Sequence, residues 1–135
     1  MASSKDKILP GYGVDNTFQA TKRLRVGPWY NAPATDPRSA CRMDSVATEF
    51  AAQGLELEFV VLGWGSDFLR EQHRWSIRRS RGTRGVVHDP FALRRNVYRV
   101  LLTRGRDGTV VFVPADPAFD ETHEYLVVSG FRSLD

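Results

Sequence analysis

The chain has 135 residues, which is enough for one ordinary domain and too few for two. Hydrophobic residues make up 41% of the chain, so it can bury a core without disulfides or metals. No apolar run approaches the length of a membrane span, and no secretory leader is visible. The single cysteine, Cys41, excludes an internal disulfide framework, and together these features predict a cytoplasmic protein.

The net charge of +3 conceals an uneven distribution. Residues 70–106 contain eleven arginines and two acidic residues and carry +9, so the rest of the chain carries −6. Arginine presents a planar fork that suits two-pronged binding of phosphate or carboxylate. The clustering therefore indicates an anionic partner for this segment.

Residues 1–40 are predicted to form a loop-rich lead-in. Residues 1–7 are small, polar or charged, which predicts a frayed, disordered tail. Residues 8–40 hold four of the seven prolines, so we expect extended, irregular chain. The apolar side chains expected to anchor it to a core are Phe18, Leu24, Val26, Trp29 and Tyr30.

Residues 41–135 are predicted to form the regular part of the fold. A short strand is expected at 43–48 and one helical turn at 49–54, capped by Thr48. The apolar run at 55–64 predicts a strand buried on both faces, as in a parallel sheet.

The second half of this region begins with an arginine-rich insertion at 68–88, either irregular or a hairpin. Asp89 followed by Pro90 predicts a helix start, and the helix should run to about Arg104 and stop near Gly105. The remaining predicted elements are a turn at 107–108, a buried strand at 109–114 and a closing helix at 122–134. The order of elements predicts an α/β fold.

Arg104 is singled out by its place on the predicted helix. Leu93, Val97, Val100 and Leu101 share one side of the helical wheel, and Arg104 falls with them. An arginine on an apolar side is costly unless it is paired or directed into a cleft. The alternative is a guanidinium that reaches solvent at the helix carboxyl end, where its charge suits the dipole.

Two segments resemble motifs of superfamily 1 helicases. Residues 96–106, Asn-Val-Tyr-Arg-Val-Leu-Leu-Thr-Arg-Gly-Arg, resemble motif VI, and residues 47–61, with Thr48 and Gln-Gly-Leu-Glu at 53–56, resemble motif V. The combination is most similar to the bacterial schlafen-group-3-like DNA/RNA helicase domain. The resemblance covers roughly residues 20–130.

The resemblance implies a partial RecA-like sheet, the second lobe of a P-loop NTPase, with flanking helices and an arginine-rich insertion. It implies that Arg104 reaches the γ-phosphate of ATP as an arginine finger, and is thus both catalytic and cofactor-binding. It places Glu56 near the nucleotide ribose, with Gly54 allowing close approach of the backbone. It also implies that Thr48 contacts the nucleic-acid backbone.

The chain has no Gly-x-x-x-x-Gly-Lys-Ser/Thr sequence, so it has no phosphate-cradling P-loop of its own. We therefore expect no ATP hydrolysis by the chain alone. ATP with Mg²⁺ is expected only together with a P-loop lobe, supplied by the same parent chain or by a separate subunit. The three histidines lack the spacing of metal ligands, so no protein-bound metal is expected.

The arginine-rich segment also suggests a non-enzymatic alternative, a module that binds single-stranded DNA or RNA. Arginines with an aromatic platform suit phosphate contact and base stacking. A solvated loop with one anchoring tryptophan would give the same composition, and a regulatory or interaction remnant of a helicase is a third possibility. The candidate nucleic-acid residues are Thr48, Arg74, Trp75, Arg78, Arg79, Arg95 and Arg99.

Overall fold

A computed structural model of the protein describes residues 1–78 and 88–134, and shows a mixed α/β fold. Strands β1 (Leu57–Gly63) and β4 (Gly105–Phe112) form a parallel pair, and β2 (Phe68–Glu71) and β3 (Arg74–Ile77) form an antiparallel hairpin. The α-helices are α1 (Phe18–Thr21), α2 (Val26–Asn31), α3 (Glu49–Ala52), α4 (Pro90–Leu102) and α5 (Asp120–Val128). Single 3₁₀ turns lie at Leu9–Tyr12, Ala40–Arg42 and Pro117–Phe119.

The parallel register runs from Leu57 opposite Gly105 to Gly63 opposite Phe112, with an irregularity between Leu57 and Phe59. The expected turn at 107–108 is wrong, because both residues lie inside β4. A Cβ on Gly108 would lie 2.8 Å from the Phe59 ring. Glycine at this position therefore leaves space for that ring, and it does not mark a turn.

The two faces of β1 differ in burial. Val60 and Leu62 are buried in one core with Val97 and Leu101 of α4. Phe59 on the opposite face remains 69% exposed. The prediction of a strand buried on both faces is therefore wrong for β1. The strand predicted to be buried at 109–114 is partly exposed as well, because Val110 and Phe112 reach solvent on that same face.

Helix α4 begins as the sequence predicts. The side chain of Asp89 accepts a hydrogen bond from the Ala92 N–H at 2.9 Å, and Pro90 occupies the first turn. The helix ends at Leu102, close to the expected end. Leu93 was expected on the buried side but is 52% exposed, while Tyr98 is 1% exposed.

The hairpin confirms one of the two alternatives for residues 68–77, and residues 79–87 of the expected insertion lie outside the described residues. Its inward side chains join an aromatic cluster in which the Phe68 and Trp75 rings stack at 4.6 Å. The Phe68 ring also lies 5.2 Å from the Tyr98 ring between centroids, which ties the hairpin to α4. Such pairs add stabilisation beyond the area that they bury.

The first residues of the chain are packed, not frayed. Ala2 and Ser3 are completely buried, and Ala2 makes a parallel bridge with Gly63. The Ser3 hydroxyl donates to Asp67 Oδ2 at 2.6 Å. The expectation of a disordered tail is wrong because these backbone and hydroxyl groups find partners on β1 and on the loop that follows it.

The lead-in is irregular apart from short helical turns, as its proline content indicates. Of the five expected anchors, Trp29 is buried at 7% exposure, whereas Phe18 is 75% exposed and Tyr30 is 43% exposed. Trp29 of α2 is therefore one anchor of the lead-in, and Leu9, which is completely buried, is another.

The strand expected at 43–48 is absent. Met43 has φ +59° and ends the Ala40–Arg42 turn in the left-handed region, which an extended strand does not permit. The expected helical turn is present as α3, with Thr48 at its N-cap position but without a side-chain cap bond.

The closing helix is shorter than expected. Helix α5 ends at Val128, and Gly130 follows with φ +108°. The Phe131 N–H then donates back to the Leu126 carbonyl at 3.1 Å. This left-handed termination ends the helix before residues 131–134.

Candidate functional site at the amino ends of the parallel strands

The two segments that resemble helicase motifs meet at one edge of the β1–β4 sheet. The Gly54–Glu56 loop precedes β1, and Arg104 precedes β4. Because Leu57 lies opposite Gly105 in the parallel register, the residues before each strand become neighbours. The Leu57 N–H donates to the Arg104 carbonyl at 2.9 Å.

The guanidinium of Arg104 makes three hydrogen bonds in this junction. Nε donates to the Val100 carbonyl at 3.0 Å, and Nη1 donates to the Leu55 carbonyl at 3.2 Å. Nη2 donates to Thr103 Oγ1 at 3.2 Å. Arginine has five N–H donors, so two remain for an outside acceptor on a half-buried side chain.

The loop before β1 is open to an approaching group. Gly54 has φ +82°, a left-handed conformation that favours glycine, and no atom lies within 4 Å of a Cβ built there. The Glu56 side chain is exposed, and its backbone carbonyl accepts a hydrogen bond from Tyr30 Oη at 2.8 Å.

Further charges lie beside this loop. Arg106 Nε contacts Asp107 Oδ1 at 3.1 Å, and Arg106 Nη2 lies 3.9 Å from Glu58 Oε1. The hydrogen bond to Asp107, and then the charges of Glu58 and Glu56, raise the pKa of Arg106. These groups are exposed, so their pairing contributes little to folding.

A cavity of about 740 Å³ begins beside Glu56 and follows β1. Leu57, Phe59 and Val61 line it on the strand side, and Trp29 and Met43 line it on the lead-in side. Its volume lies within the range of small-molecule pockets, roughly 300–1,000 Å³.

The candidate nucleic-acid residues differ in their exposure to solvent. Arg74, Arg78, Arg95 and Arg99 are exposed and make no ion pair with any described residue. Arg95 and Arg99 lie one turn apart on α4. Arg79 lies outside the described residues.

Two other candidates do not present an open group in this structure. Thr48 is 5% exposed. The ring of Trp75 stacks on Phe68 at 4.6 Å and meets Tyr125 edge-on at 5.4 Å, so it is packed as an anchor between them.

A buried polar network that the sequence did not predict lies beyond the carboxyl end of β1, at the other end of the strand from the site. Arg94 Nη1 lies 2.8 Å from Asp67 Oδ2, and the Tyr98 hydroxyl donates to Asp67 Oδ1 at 2.7 Å. Burial raises the pKa of Asp67 despite these partners, and burial and the nearby Asp67 raise the pKa of Tyr98. Arg94 lies three and four residues before Val97 and Tyr98 on α4. That spacing places all three side chains on one face of the helix, so it could have indicated that Arg94 points inward.

The oxygens of Asp67 are all engaged, so this network supports the fold rather than offering a reactive group. Within residues 1–78 and 88–134, no group of three or more His, Cys, Asp or Glu side chains could hold a metal ion. In the same ranges, no helix is both long and apolar enough to cross a membrane.

Comparison with known protein families identifies a match. The profile of the family described as Schlafen group 3, DNA/RNA helicase domain, matches residues 1–115. No curated protein and no solved structure matches the chain. The matched region contains β1, α4 and β4 with the Gly54–Glu56 loop and Arg104 at their junction. The chain therefore belongs to the Schlafen group 3 DNA/RNA helicase domain family.

Proposed function

We propose that this chain is the C-terminal, RecA-like lobe of a superfamily 1 helicase-like ATPase, and that it completes an ATP site when a P-loop lobe is present. The observation that carries the proposal is the junction at the amino ends of β1 and β4. There Arg104 and the Gly54–Glu56 loop are joined by the bond from Arg104 Nη1 to the Leu55 carbonyl.

The proposed role of Arg104 is to stabilise charge on the transferring phosphoryl group. Its three hydrogen bonds to the protein hold the guanidinium in one orientation, while two N–H donors remain for phosphate oxygens. Glu56 is the proposed ribose contact, because its carboxylate is exposed beside the same loop. Gly54 would let a nucleotide approach the backbone.

The P-loop lobe is a required partner in this proposal. The sequence contains no Walker-type loop, and its lysines lie at 5, 7 and 22 without that context. Cradling of the phosphates and coordination of Mg²⁺ therefore belong to the partner lobe. The chain supplies the finger and the ribose contact.

The test is ATP turnover by the chain joined to a P-loop lobe. Arg104→Ala should lower kcat by a factor of about 10³ or more, because arginine fingers contribute roughly 10³–10⁵ in rate. Arg106→Ala is the matched control and should retain turnover. Comparable activity in the two variants would refute the finger role of Arg104.

A second function is supported by the exposed arginines of the hairpin and α4. We propose that Arg74, Arg78, Arg95 and Arg99 contact the phosphates of single-stranded DNA or RNA. Their exposure, without ion pairs to described acids, leaves their charge available for phosphate. Contacts by Thr48 or Trp75 would require those side chains to become accessible.

Fluorescence anisotropy with single-stranded oligonucleotides at several salt concentrations tests this second function. Replacing Arg95 and Arg99 together by alanine should reduce the slope of log affinity against log salt by about 1.4, from roughly 0.7 per single-strand phosphate contact. Arg25→Ala, an exposed arginine of the lead-in, is the control and should keep the slope. Absence of both ATP turnover with a P-loop lobe and oligonucleotide binding in the parent chain would favour a regulatory or interaction role.

A further inference from the structure

The cavity beside Glu56 lies between the open face of the β1–β4 sheet and the lead-in. Phe59 of β1 and Phe112 of β4 share that face, and both line the cavity. Tyr30 and Asn31, the last residues of α2, line it from the lead-in. The cavity is therefore bounded by two separate parts of the chain.

A hydrogen bond holds α2 beside the loop that precedes β1. Tyr30 Oη donates to the Glu56 carbonyl at 2.8 Å, at the end of the cavity where the strand begins. The next residue, Asn31, is exposed, and its Nδ2 donates to the Gly27 carbonyl at 3.0 Å. Within the described part of the chain this is its side-chain bond, so one amide N–H and the amide oxygen remain for a ligand.

The ring of Phe59 offers an open aromatic surface near the same end of the cavity. It packs against Gly108, where a built Cβ would lie 2.8 Å from the ring, and the side chain remains 69% exposed. Phe59 lies three residues after Glu56, which corresponds to roughly 10 Å of extended chain. A planar ligand can stack on such a ring.

Glu56 connects the Arg104 junction with the cavity. The Leu55 carbonyl accepts from Arg104 Nη1, and neither of these two residues lines the cavity. Glu56, the next residue along the chain, does line it. The order of Arg104, Glu56 and cavity therefore matches the order of phosphate, ribose and base in a nucleotide. A nucleotide with its phosphates at Arg104 and its ribose at Glu56 would direct its base toward the cavity.

We propose that this cavity is the base subsite of the nucleotide, and that α2 and β1 hold the base between them. The subsite rests on the proposed function, because Glu56 is taken as the ribose contact. Phe59 stacks on the base, and the Asn31 amide, with one donor and one acceptor free, binds its edge. Leu57 and Trp29 supply apolar walls that suit an uncharged ring.

Titration of the 135-residue chain with adenosine, followed by amide NMR shifts, tests the subsite without a P-loop lobe. Binding should saturate with a Kd of about 1 mM or below, a modest affinity for a ligand of this size. The largest shifts should occur around Asn31 and Phe59. Ribose 5-phosphate, which has no base, should produce no saturable shifts there. Failure of adenosine to saturate, or saturable shifts confined to other residues, would overturn the proposal.

Two substitutions test the assigned contacts. Phe59→Leu keeps an apolar side chain on the sheet but removes the stacking surface, and Asn31→Ala removes the amide. Each should weaken adenosine binding at least about fivefold, the lower end of what stacking on an aromatic side chain contributes. Phe18→Leu is the matched control, because Phe18 is a 75% exposed aromatic residue of the lead-in that does not line the cavity. Parent-like affinity in Phe59→Leu or in Asn31→Ala would contradict the assignment.

The base subsite and the arginine finger can fail separately, because adenosine carries no phosphate for Arg104 to contact. Adenosine binding as stated, with ATP turnover retained in Arg104→Ala of the two-lobed protein, would refute the finger and keep the subsite. Turnover that depends on Arg104, with no saturable adenosine binding, would keep the finger and overturn the subsite.

Discussion

Arg104 and Leu55 are joined by a hydrogen bond of 3.2 Å from the arginine Nη1 to the leucine carbonyl. This bond links the end of α4 to the loop before β1, across the point where the parallel strands begin. One guanidinium thereby fixes the relative position of two segments that are about fifty residues apart in sequence. The geometry gives Arg104 a structural role that accompanies its proposed role toward phosphate.

Replacing Arg104 should therefore weaken the fold as well as the proposed activity. Arg104→Ala leaves the Leu55 and Val100 carbonyls without their side-chain donor, and bonds to charged groups contribute about 1.5–3 kcal/mol. Chemical denaturation should show a loss of about 1–3 kcal/mol in unfolding free energy. Arg106→Ala, the exposed neighbour, should leave it unchanged, and equal stability of the two variants would contradict the junction.

The buried pair of Arg94 and Asp67 gives a second prediction. Arg94→Met leaves the Asp67 carboxylate buried without its cation, which typically costs about 3–5 kcal/mol. The loss should shrink as the pH falls, because burial already raises the pKa of Asp67 and protonation relieves the unpaired charge.

Denaturation of Arg94→Met with and without Asp67→Asn provides the control for that pair. The double variant should be more stable than Arg94→Met alone, since no buried charge remains. If Asp67→Asn lowers the unfolding free energy of Arg94→Met by as much as it lowers that of the parent chain, the two side chains are not coupled.

Gly65 is predicted to tolerate no side chain. An alanine Cβ would lie 2.5 Å from the Asp6 Cβ, and Asp6 cannot easily withdraw because its carboxylate accepts from the Ser66 and Leu9 N–H groups at 2.6 and 2.8 Å. Gly65→Ala should reduce the unfolding free energy by about 1–3 kcal/mol, as overpacking does. At Gly11 no atom lies within 4 Å of a built Cβ, so Gly11→Ala should have the same unfolding free energy as the parent chain in the same denaturation measurement.

The amino group of Met1 predicts a pH dependence of stability in the 135-residue chain. Its pKa falls to about 6 on folding, from 8.0, so the folded state binds fewer protons than the unfolded state between these values. Unfolding free energy should therefore decrease as the pH is lowered from 8 to 6, by at most about 3 kcal/mol.

Acetylation of the Met1 nitrogen removes this titration and leaves the histidines in place. The difference in stability between the acetylated and free chains should grow as the pH is lowered from 8 to 6. A difference that stays constant across that range would show that the amino group is not buried in the folded chain.

The parts of the fold that depend on local rules were predictable from the sequence. Asp89 and Pro90 define the start of α4 because an acidic N-cap and a proline in the first turn both act locally. The apolar run that became β1 and the family resemblance were likewise visible. The resemblance implies that Arg104 and Glu56 approach the same nucleotide, and in the structure Arg104 lies beside the Gly54–Glu56 loop.

The parts that depend on distant partners were not predictable. Ser3 and Ala2 look like a polar tail until Asp67 and Gly63, more than sixty residues away, are placed beside them. The Asp107-Gly108 pair indicates a turn only when the next strand reverses, and here the chain continues in β4. Arg94 points inward because its guanidinium pairs with the carboxylate of Asp67, which lies outside α4.

The most direct test of the central claim is the affinity of the two-lobed protein for ADP with aluminium fluoride, which mimics the transferring phosphoryl group, compared with ADP alone. A finger acts on the transition state more than on the ground state. Arg104→Lys keeps the positive charge but loses the planar fork. We predict that it weakens binding of the fluoride complex by at least about a hundredfold and leaves ADP affinity nearly unchanged. Equal weakening of both ligands, or of neither, would contradict the assignment of Arg104 as the finger.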